Sequence, residues 1–471
     1  MAEAIVPGST TVSAATLTRL VSALREALPR DALLLEPAER VAYGYDNSRL
    51  QAMPDLVTLP TDAAQVQRIV ATCAELRVPL TARGRGTNTT GATVPVAGGV
   101  VLSFERMRRI VAIDADNRVA IVEPGVLNVD LQVAAGAHGL FWPPDPTSSA
   151  YCTIGGNLAC NAGGPRAVKY GATRDNTLGL KAVTGQGHSI TCGGSTTKGS
   201  TGYDLTRLLV GSEGTLAVIT EATLRLVPLP DGVITLRALF DSVETCARAV
   251  ARIMAQPQTP CALEFVDGAA LELLRARGIE MAEAGAMLMI EVDGTRAALR
   301  ASVESVAAAT RGAGMIELLE AGDADAVAEL WSARRALSPA LRTLSPNKVN
   351  EDVVVPVAQL PALIAGVEKI ARAGGVQIVT FGHAGNGNLH INLLPRANDA
   401  AQEEAATAAL DLLFDLVLSL GGTLSGEHGI GMVKRGFMTR AISPATLELM
   451  RAIKRQFDPC GILNPGKLLP D

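Results

Sequence analysis

The 471-residue sequence lacks several features, and each absence excludes a class of protein. It contains no run of about eighteen apolar residues, so we expect no membrane-spanning helix. The seven cysteines are widely spaced and form no Cys-x-x-Cys pair, which excludes a zinc ribbon, an iron–sulfur cluster and a c-type haem. The patterns Gly-x-Gly-x-x-Gly and Gly-x-x-x-x-Gly-Lys-Ser/Thr are also absent, which argues against Rossmann and P-loop folds.

The net charge is small and aromatic residues are few. The charge is −5, aromatic residues make up 3%, and acidic and basic residues are interspersed, so nucleic acid is not an expected partner. The N-terminal stretch carries Glu3 and no basic segment, so we expect a cytoplasmic protein without a signal peptide. Glycine is abundant at 46 residues, which is typical of a loop-rich protein whose backbone approaches a large ligand.

The length predicts two or more domains. In the first half, apolar spacing predicts a helix from Ala14 to about Leu28 and a second helix capped by Asp62. Strands are predicted in "VPLTARG", "GGVVLSF", "RIVAIDADNRVAIVEPG" and "TLAVITEATLRLVPLP". After Pro230, strands alternate with Ala-rich helices, which predicts a second, α+β domain. Its predicted strands are "GVITLRALF", "CALEFVD", "AMLMIEVDG" and "VQIVTFGH".

The segment "FGHAGNGNLHIN" contains two of the five histidines. Asn386-Gly387 is a preferred central pair for a type I′ hairpin turn, and both flanks read as strands. Folding about that turn predicts that His383 lies opposite His390, with Cβ atoms about 5 Å apart, which is metal-chelating spacing. Two histidines on a solvated hairpin remain the alternative, because one hairpin supplies only half a metal site.

Three stretches are rich in glycine and small polar residues: "PLTARGRGTNTTG", "WPPDPTSSAYCTIGGNLACNAGG" and "TGYDLTRLLVGSEGTLAVIT". The first follows a predicted strand, so its backbone N–H groups can form an anion-binding nest. Together the three resemble the FAD-binding half of the vanillyl-alcohol oxidase/p-cresol methylhydroxylase flavoprotein superfamily. "FGHAGNGNLHIN", "SGEHGIG" and "FDPCGILNPGK" narrow the resemblance to the FAD-linked D-2-hydroxy-acid dehydrogenases. It extends from about residue 50 to the C-terminus.

The resemblance implies an α+β, two-domain FAD-binding fold of the p-cresol methylhydroxylase type. Residues 1–230 would form the FAD-binding domain, with a core at about 50–230. Residues 231–420 would form an antiparallel-sheet substrate (cap) domain with the metal-site hairpin, and 421–471 would return to the flavin. The implied FAD contacts are Arg83, Gly84, Arg85, Gly86, Thr87, Asn88, Thr89, Thr90, Pro144, Ser149, Gly155, Gly156, Asn157, Asn161, Glu213, Gly214, Ile219 and Asn464.

The resemblance also implies a metal site and a base. His383, His390 and Glu427 would bind a divalent metal, with zinc as the first candidate and manganese or iron as alternatives. His428 would remove the proton of the substrate hydroxyl while the α-hydrogen leaves as hydride to flavin N5. The implied substrate contacts are Arg334, with its neighbour Arg335 as the alternative, together with Lys348 and Asn392.

The implied reaction is oxidation of a small D-2-hydroxy acid to the 2-oxo acid. D-lactate is the first candidate substrate, with glycolate (as in the FAD subunit of glycolate oxidase) and D-2-hydroxyglutarate as alternatives. A non-oxygen acceptor is expected, namely a quinone, a cytochrome or an electron-transfer flavoprotein, so the protein could sit peripherally at a membrane. We expect non-covalent FAD, and a homodimer is one alternative for the oligomeric state. A non-catalytic flavin subunit and a flavin-free metallohydrolase are the rival functions.

Overall fold

The computed structural model describes residues 12–279, 281–321 and 323–470. Glu3, on which the expectation about a signal peptide depended, lies outside these residues. The chain divides into two compact units. The first unit contains the described residues 12–163, 171–229 and 427–470, and the second contains the described residues 164–170, 230–279, 281–321 and 323–426. Within the described residues, no helix is long and apolar enough to cross a membrane.

The α-helices are α1 (Ala14–Arg25), α2 (Pro37–Arg40), α3 (Ala63–Leu76), α4 (Asn128–Gly136), α5 (Ile154–Cys160), α6 (Ala167–Tyr170), α7 (Leu205–Leu209), α8 (Val243–Ala255), α9 (Gly268–Ala276), α10 (Arg296–Thr310), α11 (Ala324–Leu344), α12 (Leu360–Gly374), α13 (Ala400–Ser419), α14 (Met438–Ala441) and α15 (Pro444–Phe457). The predicted cap of α3 is confirmed, because the Asp62 side chain accepts a hydrogen bond from the Gln65 N–H.

The strands are β1 (Leu33–Leu34), β2 (Leu56–Thr58), β3 (Leu80–Arg83), β4 (Val100–Ser103), β5 (Ile110–Asp114), β6 (Val119–Val122), β7 (Leu140–Phe141), β8 (Thr177–Thr184), β9 (Ser189–Gly193), β10 (Ala217–Arg225), β11 (Val227–Pro228), β12 (Gly232–Phe240), β13 (Ala262–Asp267), β14 (Ala286–Gly294), β15 (Met315–Glu320), β16 (Val349–Val354), β17 (Gln377–His383) and β18 (Asn388–Leu394). Each strand-forming segment predicted from the sequence contains at least one of these strands.

The first unit contains a four-stranded and a five-stranded sheet. The smaller has the order β1-β2-β4-β3, in which β2 and β3 each pair parallel with β4, and α3 connects β2 to β3. The larger is antiparallel, with the order β5-β6-β10-β8-β9. The C-terminal segment returns to this unit, where Leu463 forms a parallel bridge with Leu80 of β3. The loop after β3 and the C-terminus are therefore neighbours.

The second unit is built on one antiparallel sheet of seven strands, in the order β15-β12-β14-β13-β17-β18-β16. Helices α9 and α11 share an apolar core with one face of this sheet, through Leu271 and Leu337 packed in a cluster with Val379 and Phe381. Helices α8, α10, α12 and α13 pack against one another and against strands of the sheet. Strands β17 and β18 are interior strands: β17 pairs with β13 and β18, and β18 pairs with β17 and β16, so pairing on both edges fixes their register.

The predicted turn between β17 and β18 is wrong. Residues 384–386 form one 3₁₀ turn, and only Gly387 of the Asn386-Gly387 pair has positive φ, at +71°. His390 lies opposite Phe381 rather than His383, and His383 lies opposite Glu264 of β13. The reason is that β13 and β16 pair with the outer edges of the two strands, so the turn alone does not set the register. His383 and His390 nevertheless share a face, as diagonal neighbours.

Candidate functional site

The loop after β3 presents a run of unpaired backbone donors. Among the described residues, the N–H groups of residues 84–89 have no hydrogen-bond partner. The backbone follows a course that suits glycine, since Gly86 has a φ of +67° and an added Cβ would lie 2.3 Å from Arg83 Nη2. Successive unpaired N–H groups form the cradle that a pyrophosphate needs, so this loop fits the predicted FAD.

The side chain of Arg83 has a structural role in this loop. It is buried, and its Nη1 donates to the Tyr45 carbonyl at 2.8 Å and to Thr93 Oγ1 at 3.2 Å. Nη2 donates to the Ala42 carbonyl at 3.3 Å. The guanidinium of Arg83 therefore stabilises the loop through these hydrogen bonds, whereas the side chain of Arg85 is exposed.

The second glycine-rich stretch forms α5 and the loop before it. Thr153 caps this helix by accepting from the Gly156 N–H. Asn128 Nδ2 donates to the Pro144 carbonyl at 3.0 Å and to Asn157 Oδ1 at 3.2 Å, which holds the loop against the helix. An added Cβ at Gly155 would lie 2.7 Å from Pro124 Cβ, so a side chain there would collide with the neighbouring segment.

Three further predicted FAD contacts lie elsewhere in the first unit. Asn161 ends α5 in the left-handed conformation, at a φ of +52°, and its Oδ1 accepts from the Arg174 N–H at 2.8 Å. The Ser149 carbonyl accepts from the Val129 N–H at 3.2 Å. Ile219 lies on β10. The amide of Asn161 thus serves the fold directly.

Glu213 and Asn464 connect four segments of the first unit. Glu213 is 4% exposed, and its two carboxylate oxygens accept from the N–H groups of Ile430 and Gly431 at 2.6 and 2.8 Å. Burial raises the pKa of Glu213 to about 7. Asn464 Nδ2 donates to the carbonyls of Glu213 and Ala92, at 2.7 and 2.8 Å. The carboxylate of Glu213 therefore holds the segment after His428, a role that the sequence did not reveal.

The predicted base, His428, lies in the segment that Glu213 holds. The carbonyl oxygen of His428 accepts from Asn88 Nδ2 at 2.8 Å. Gly429 and Gly431 have φ of +83° and +51°, which suits a tight non-helical course. The Met432 N–H donates to the Thr90 carbonyl at 2.8 Å. The first unit therefore joins the base segment to the loop with the unpaired donors.

The two histidines of the second unit are close together. Their ring centroids are 5.3 Å apart and their planes are nearly perpendicular, at 85°. His383 Nδ1 lies 2.5 Å from a carboxylate oxygen of Glu264. A carboxylate that accepts from Nδ1–H fixes the tautomer that leaves Nε2 as a ligand, an arrangement typical of histidines that bind metals. These residues therefore fit two of the three predicted ligands.

Glu264 is a buried carboxylate beside His383 that sequence analysis missed. It is 1% exposed, and it also pairs with Arg334, whose Nε and Nη2 lie 3.0 and 2.9 Å from Oε2. Burial acts to raise the pKa of Glu264, but the charges of His383 and Arg334 outweigh it and lower the pKa to about 2. The available signal was a single acidic residue inside the apolar strand segment "ALEFV".

The two arginines of α11 differ in burial. Arg334 is 7% exposed and its guanidinium carbon lies 4.5 Å from the centroid of the Phe381 ring, whereas Arg335 is exposed.

We therefore expect Arg334→Met to lower the free energy of unfolding by about 3–5 kcal/mol, because it leaves the buried carboxylate of Glu264 without its arginine partner. The matched control Arg335→Met should change it by less than about 0.5 kcal/mol. Urea denaturation of both variants checks this, and equal midpoints would contradict the buried pair.

Lys348 and Asn392 are brought together in the second unit. Lys348 Nζ donates to Asn392 Oδ1 at 3.1 Å and to Ser338 Oγ at 3.1 Å. Ser338 was missed, although its position four residues after Arg334 places both on one face of α11. Asn392 is fully buried, and its Nδ2 donates to the carbonyls of Val379 and His390, both at 3.2 Å.

Asp352 is a second missed carboxylate. It is fully buried and lies opposite His390 on the neighbouring strand. Its Oδ1 accepts from Asn388 Nδ2 at 2.6 Å, and its Oδ2 accepts from Ser425 Oγ and the Gly426 N–H, both at 2.9 Å. Asp352 thus holds Gly426, the last residue of the second unit. Glu427 and His428 follow Gly426 in the chain and belong to the first unit.

The cysteines near the flavin-binding stretches have the properties of inert thiols. Cys152 is buried, and burial raises its pKa. Burial also raises the pKa of Cys160 to about 12. Because a thiol is nucleophilic only as the thiolate, neither is suited to covalent attachment of a flavin.

We therefore expect acid precipitation of the protein to release all the yellow cofactor into the supernatant. Colour that stays with the washed pellet would contradict this and point first to Cys152 or Cys160.

Comparison with known proteins identifies relatives along nearly the whole chain. Residues 229–468 match the family model for the C-terminal domain of FAD linked oxidases, and residues 54–193 match the FAD binding domain. Glycolate oxidase subunit GlcD of Bacillus subtilis (strain 168) is 39% identical over 434 residues, which is 92% of each chain. D-lactate dehydrogenase of Archaeoglobus fulgidus is 38% identical over 439 residues, covering 91% of this chain and 95% of its own.

The fold has a counterpart among solved structures. The crystal structure of p-cresol methylhydroxylase with substrate bound superimposes with a TM-score of 0.80, over 97% of each chain. The two sequences are 17% identical, so this likeness concerns the fold alone. It confirms the predicted α+β FAD-binding fold of the p-cresol methylhydroxylase type.

Proposed function

The chain belongs to the family of FAD-linked oxidases, and from that premise we propose that it oxidises a small D-2-hydroxy acid, D-lactate first, to the 2-oxo acid. It is an oxidoreductase that binds FAD. The named relatives support the substrate class, because both lactate and glycolate are 2-hydroxy acids. Glycolate and D-2-hydroxyglutarate are the alternative substrates.

One arrangement in the second unit carries the proposal. His383, His390 and Asn392 share one face of the seven-stranded sheet, and Asn392 is bonded to Lys348. Two residues along a strand span about 7 Å, so the imidazole of His390 and the Lys348–Asn392 pair lie within reach of one small molecule. A chelating pair beside a cation suits a 2-hydroxy acid, which carries a carboxylate and an adjacent hydroxyl.

We propose that His383, His390 and Glu427 hold a divalent metal, with zinc as first candidate. The bond from His383 to the buried Glu264 supports this, since it presents Nε2 as a ligand. Glu427 follows Gly426, whose N–H is held by Asp352. A metal held by these residues would supply Lewis acidity that makes the hydroxyl of the substrate more acidic. The carboxylate of the substrate is oriented by Lys348, Asn392 and Arg334. The charge of Arg334 is partly balanced by its ion pair with Glu264.

In this proposal His428 is the base that takes the proton of the substrate hydroxyl. Bound FAD supplies the acceptor for the hydride from the α-carbon. The unpaired N–H groups of residues 84–89 would bind the pyrophosphate of FAD. The stretches around α5, Glu213 and Asn464 would surround the remainder of the FAD molecule. The cofactor would be held without a covalent bond. The reduced flavin would pass electrons to a quinone, a cytochrome or an electron-transfer flavoprotein, which would place the protein beside a membrane through its acceptor.

A second candidate is the FAD subunit of a glycolate oxidase, as the name of the relative from Bacillus subtilis suggests. A subunit without catalytic function would not need to keep the residues of the metal site and the base. Here His383, His390, Glu427 and His428 are all present, and Glu264 supports the first of them. This set favours a catalytic chain in either case.

A panel of acids tests the proposed function. Under anaerobic conditions, D-lactate is expected to bleach the visible absorbance of the bound flavin, and L-lactate is not. D-2-hydroxyglutarate and glycolate are run beside them, and the acid that bleaches fastest at low concentration identifies the substrate. Absence of bleaching by every 2-hydroxy acid would overturn the proposal.

A further inference from the structure

Two segments of the first unit carry different parts of the proposed reaction. The cofactor loop, residues 84–90, contains the unpaired N–H groups, and the base loop, residues 428–431, begins at His428. The base loop has no helix or strand of its own. Its position therefore depends on contacts with neighbouring segments, among them the side chains of Asn88 and Glu213.

We propose that Asn88 and Glu213 are positioning residues that couple occupation of the cofactor loop to the placement of His428. An anion bound by the backbone of the cofactor loop would fix Asn88, and Asn88 in turn would fix the base loop. The proposal rests on the proposed function only in assigning His428 as the base; the coupling between the two loops can be tested without it.

Asn88 belongs to both halves of this connection. Its own N–H is one of the unpaired donors of the cofactor loop. Its Oδ1 accepts from the Thr90 N–H at 2.8 Å and from Thr90 Oγ1 at 2.7 Å, which fixes the orientation of the amide. Nδ2 then donates to the His428 carbonyl at 2.8 Å. Displacement of the Asn88 backbone would therefore break a bond to the base loop.

Glu213 holds the other end of the base loop. Its carboxylate accepts from two successive N–H groups, those of Ile430 and Gly431, so removal of one oxygen acceptor leaves a donor unpaired. The fit is close: an added Cβ at Gly429 would lie 2.6 Å from Glu213 Oε1, and one at Gly431 would lie 2.3 Å from the Thr90 carbonyl oxygen. The base loop is thus seated against Glu213 and against the cofactor loop.

If Asn88 and Glu213 only stabilised the base loop locally, hydrogen exchange in that loop would not depend on the cofactor. If they couple the two loops, exchange in the base loop should change when the cofactor is removed. Hydrogen exchange of the amides of residues 429–432 is compared in the full-length protein with FAD, after FAD removal, and after addition of ADP, which supplies the pyrophosphate without the flavin. Loss of FAD is expected to speed exchange about 5- to 30-fold, the range that one or two lost hydrogen bonds imply. ADP is expected to restore slow exchange in the wild type.

Two variants and one control complete the experiment. In Asn88→Ala, ADP is expected not to restore slow exchange, and in Glu213→Gln exchange is expected to be fast even with FAD bound. Glu75→Gln makes the same chemical change at an exposed site of α3 and should match the wild type. The coupling would be overturned if FAD removal left the exchange rate of the wild type unchanged. It would also be overturned if ADP slowed exchange in Asn88→Ala as much as in the wild type. If the coupling holds but His428→Asn leaves flavin reduction unchanged, the base assignment fails and the coupling stands.

Discussion

Replacement of His428 by Asn is expected to slow reduction of the bound flavin about 10²–10⁴-fold, the usual contribution of a positioned general base. Asn has no group that takes a proton near neutral pH. The base loop should keep its place, because the bond from Asn88 goes to the main-chain carbonyl of residue 428, which the substitution retains. The loss should therefore appear in the rate of reduction, measured by anaerobic stopped flow, with FAD and metal content unchanged.

The matched control for this variant is His138→Asn, which removes an exposed histidine from the first unit. It should reduce its flavin at the rate of the wild type. Near wild-type reduction in His428→Asn would transfer the role of the base to another group or to hydroxide bound at the metal. Loss of FAD from His428→Asn would show instead that the side chain supports the cofactor.

Replacement of His390 by Ala is expected to strip the divalent metal while FAD remains bound. The two sites use different parts of the chain, since His390 is on β18 of the second unit and the loop with the unpaired donors is in the first. A chelate that loses one of its three protein ligands loses most of its affinity. Elemental analysis with a flavin spectrum measures both quantities on one sample.

Glu264→Gln extends this prediction to the carboxylate that is bonded to His383, one of the proposed metal ligands. It keeps an acceptor for the Nδ1–H of His383 but removes the negative charge, so we expect metal affinity to fall about 10- to 100-fold. His188→Ala, at an exposed position of the first unit, is the control and should retain the metal. Full metal occupancy in His390→Ala would disprove the chelate, and unchanged affinity in Glu264→Gln would limit Glu264 to a structural role.

The elements of the fold that local patterns determine could be predicted from the sequence. The strand "GVITLRALF" coincides with β12, and Asp62 caps α3, because apolar alternation and capping act within a few residues. The predicted helix from Ala14 ends at Arg25 rather than near Leu28, an error of the size usual for helix ends. The glycine-rich stretches led to the correct fold class through resemblance.

The parts of the site that depend on distant segments could not be predicted. The pairing of His383 with Glu264 joins positions 119 residues apart, and the turn chemistry of Asn386-Gly387 carries no information about it. Arg334 and Arg335 are adjacent in sequence, and only the packing of α11 on the sheet determines which is buried. The resemblance implied only that Glu213 contacts FAD, whereas its carboxylate also holds the base loop, a role visible only when both segments are in place.

The most direct test of the central claim is anaerobic flavin reduction by D-lactate with hydrogen or deuterium at the α-carbon, beside L-lactate. If the α-hydrogen leaves as hydride to the flavin, D-lactate should bleach the visible absorbance, the deuterated acid should do so more slowly, and L-lactate should leave the colour unchanged. Equal bleaching by the two enantiomers, or no bleaching by D-lactate while another class of alcohol reduces the flavin, would contradict the account.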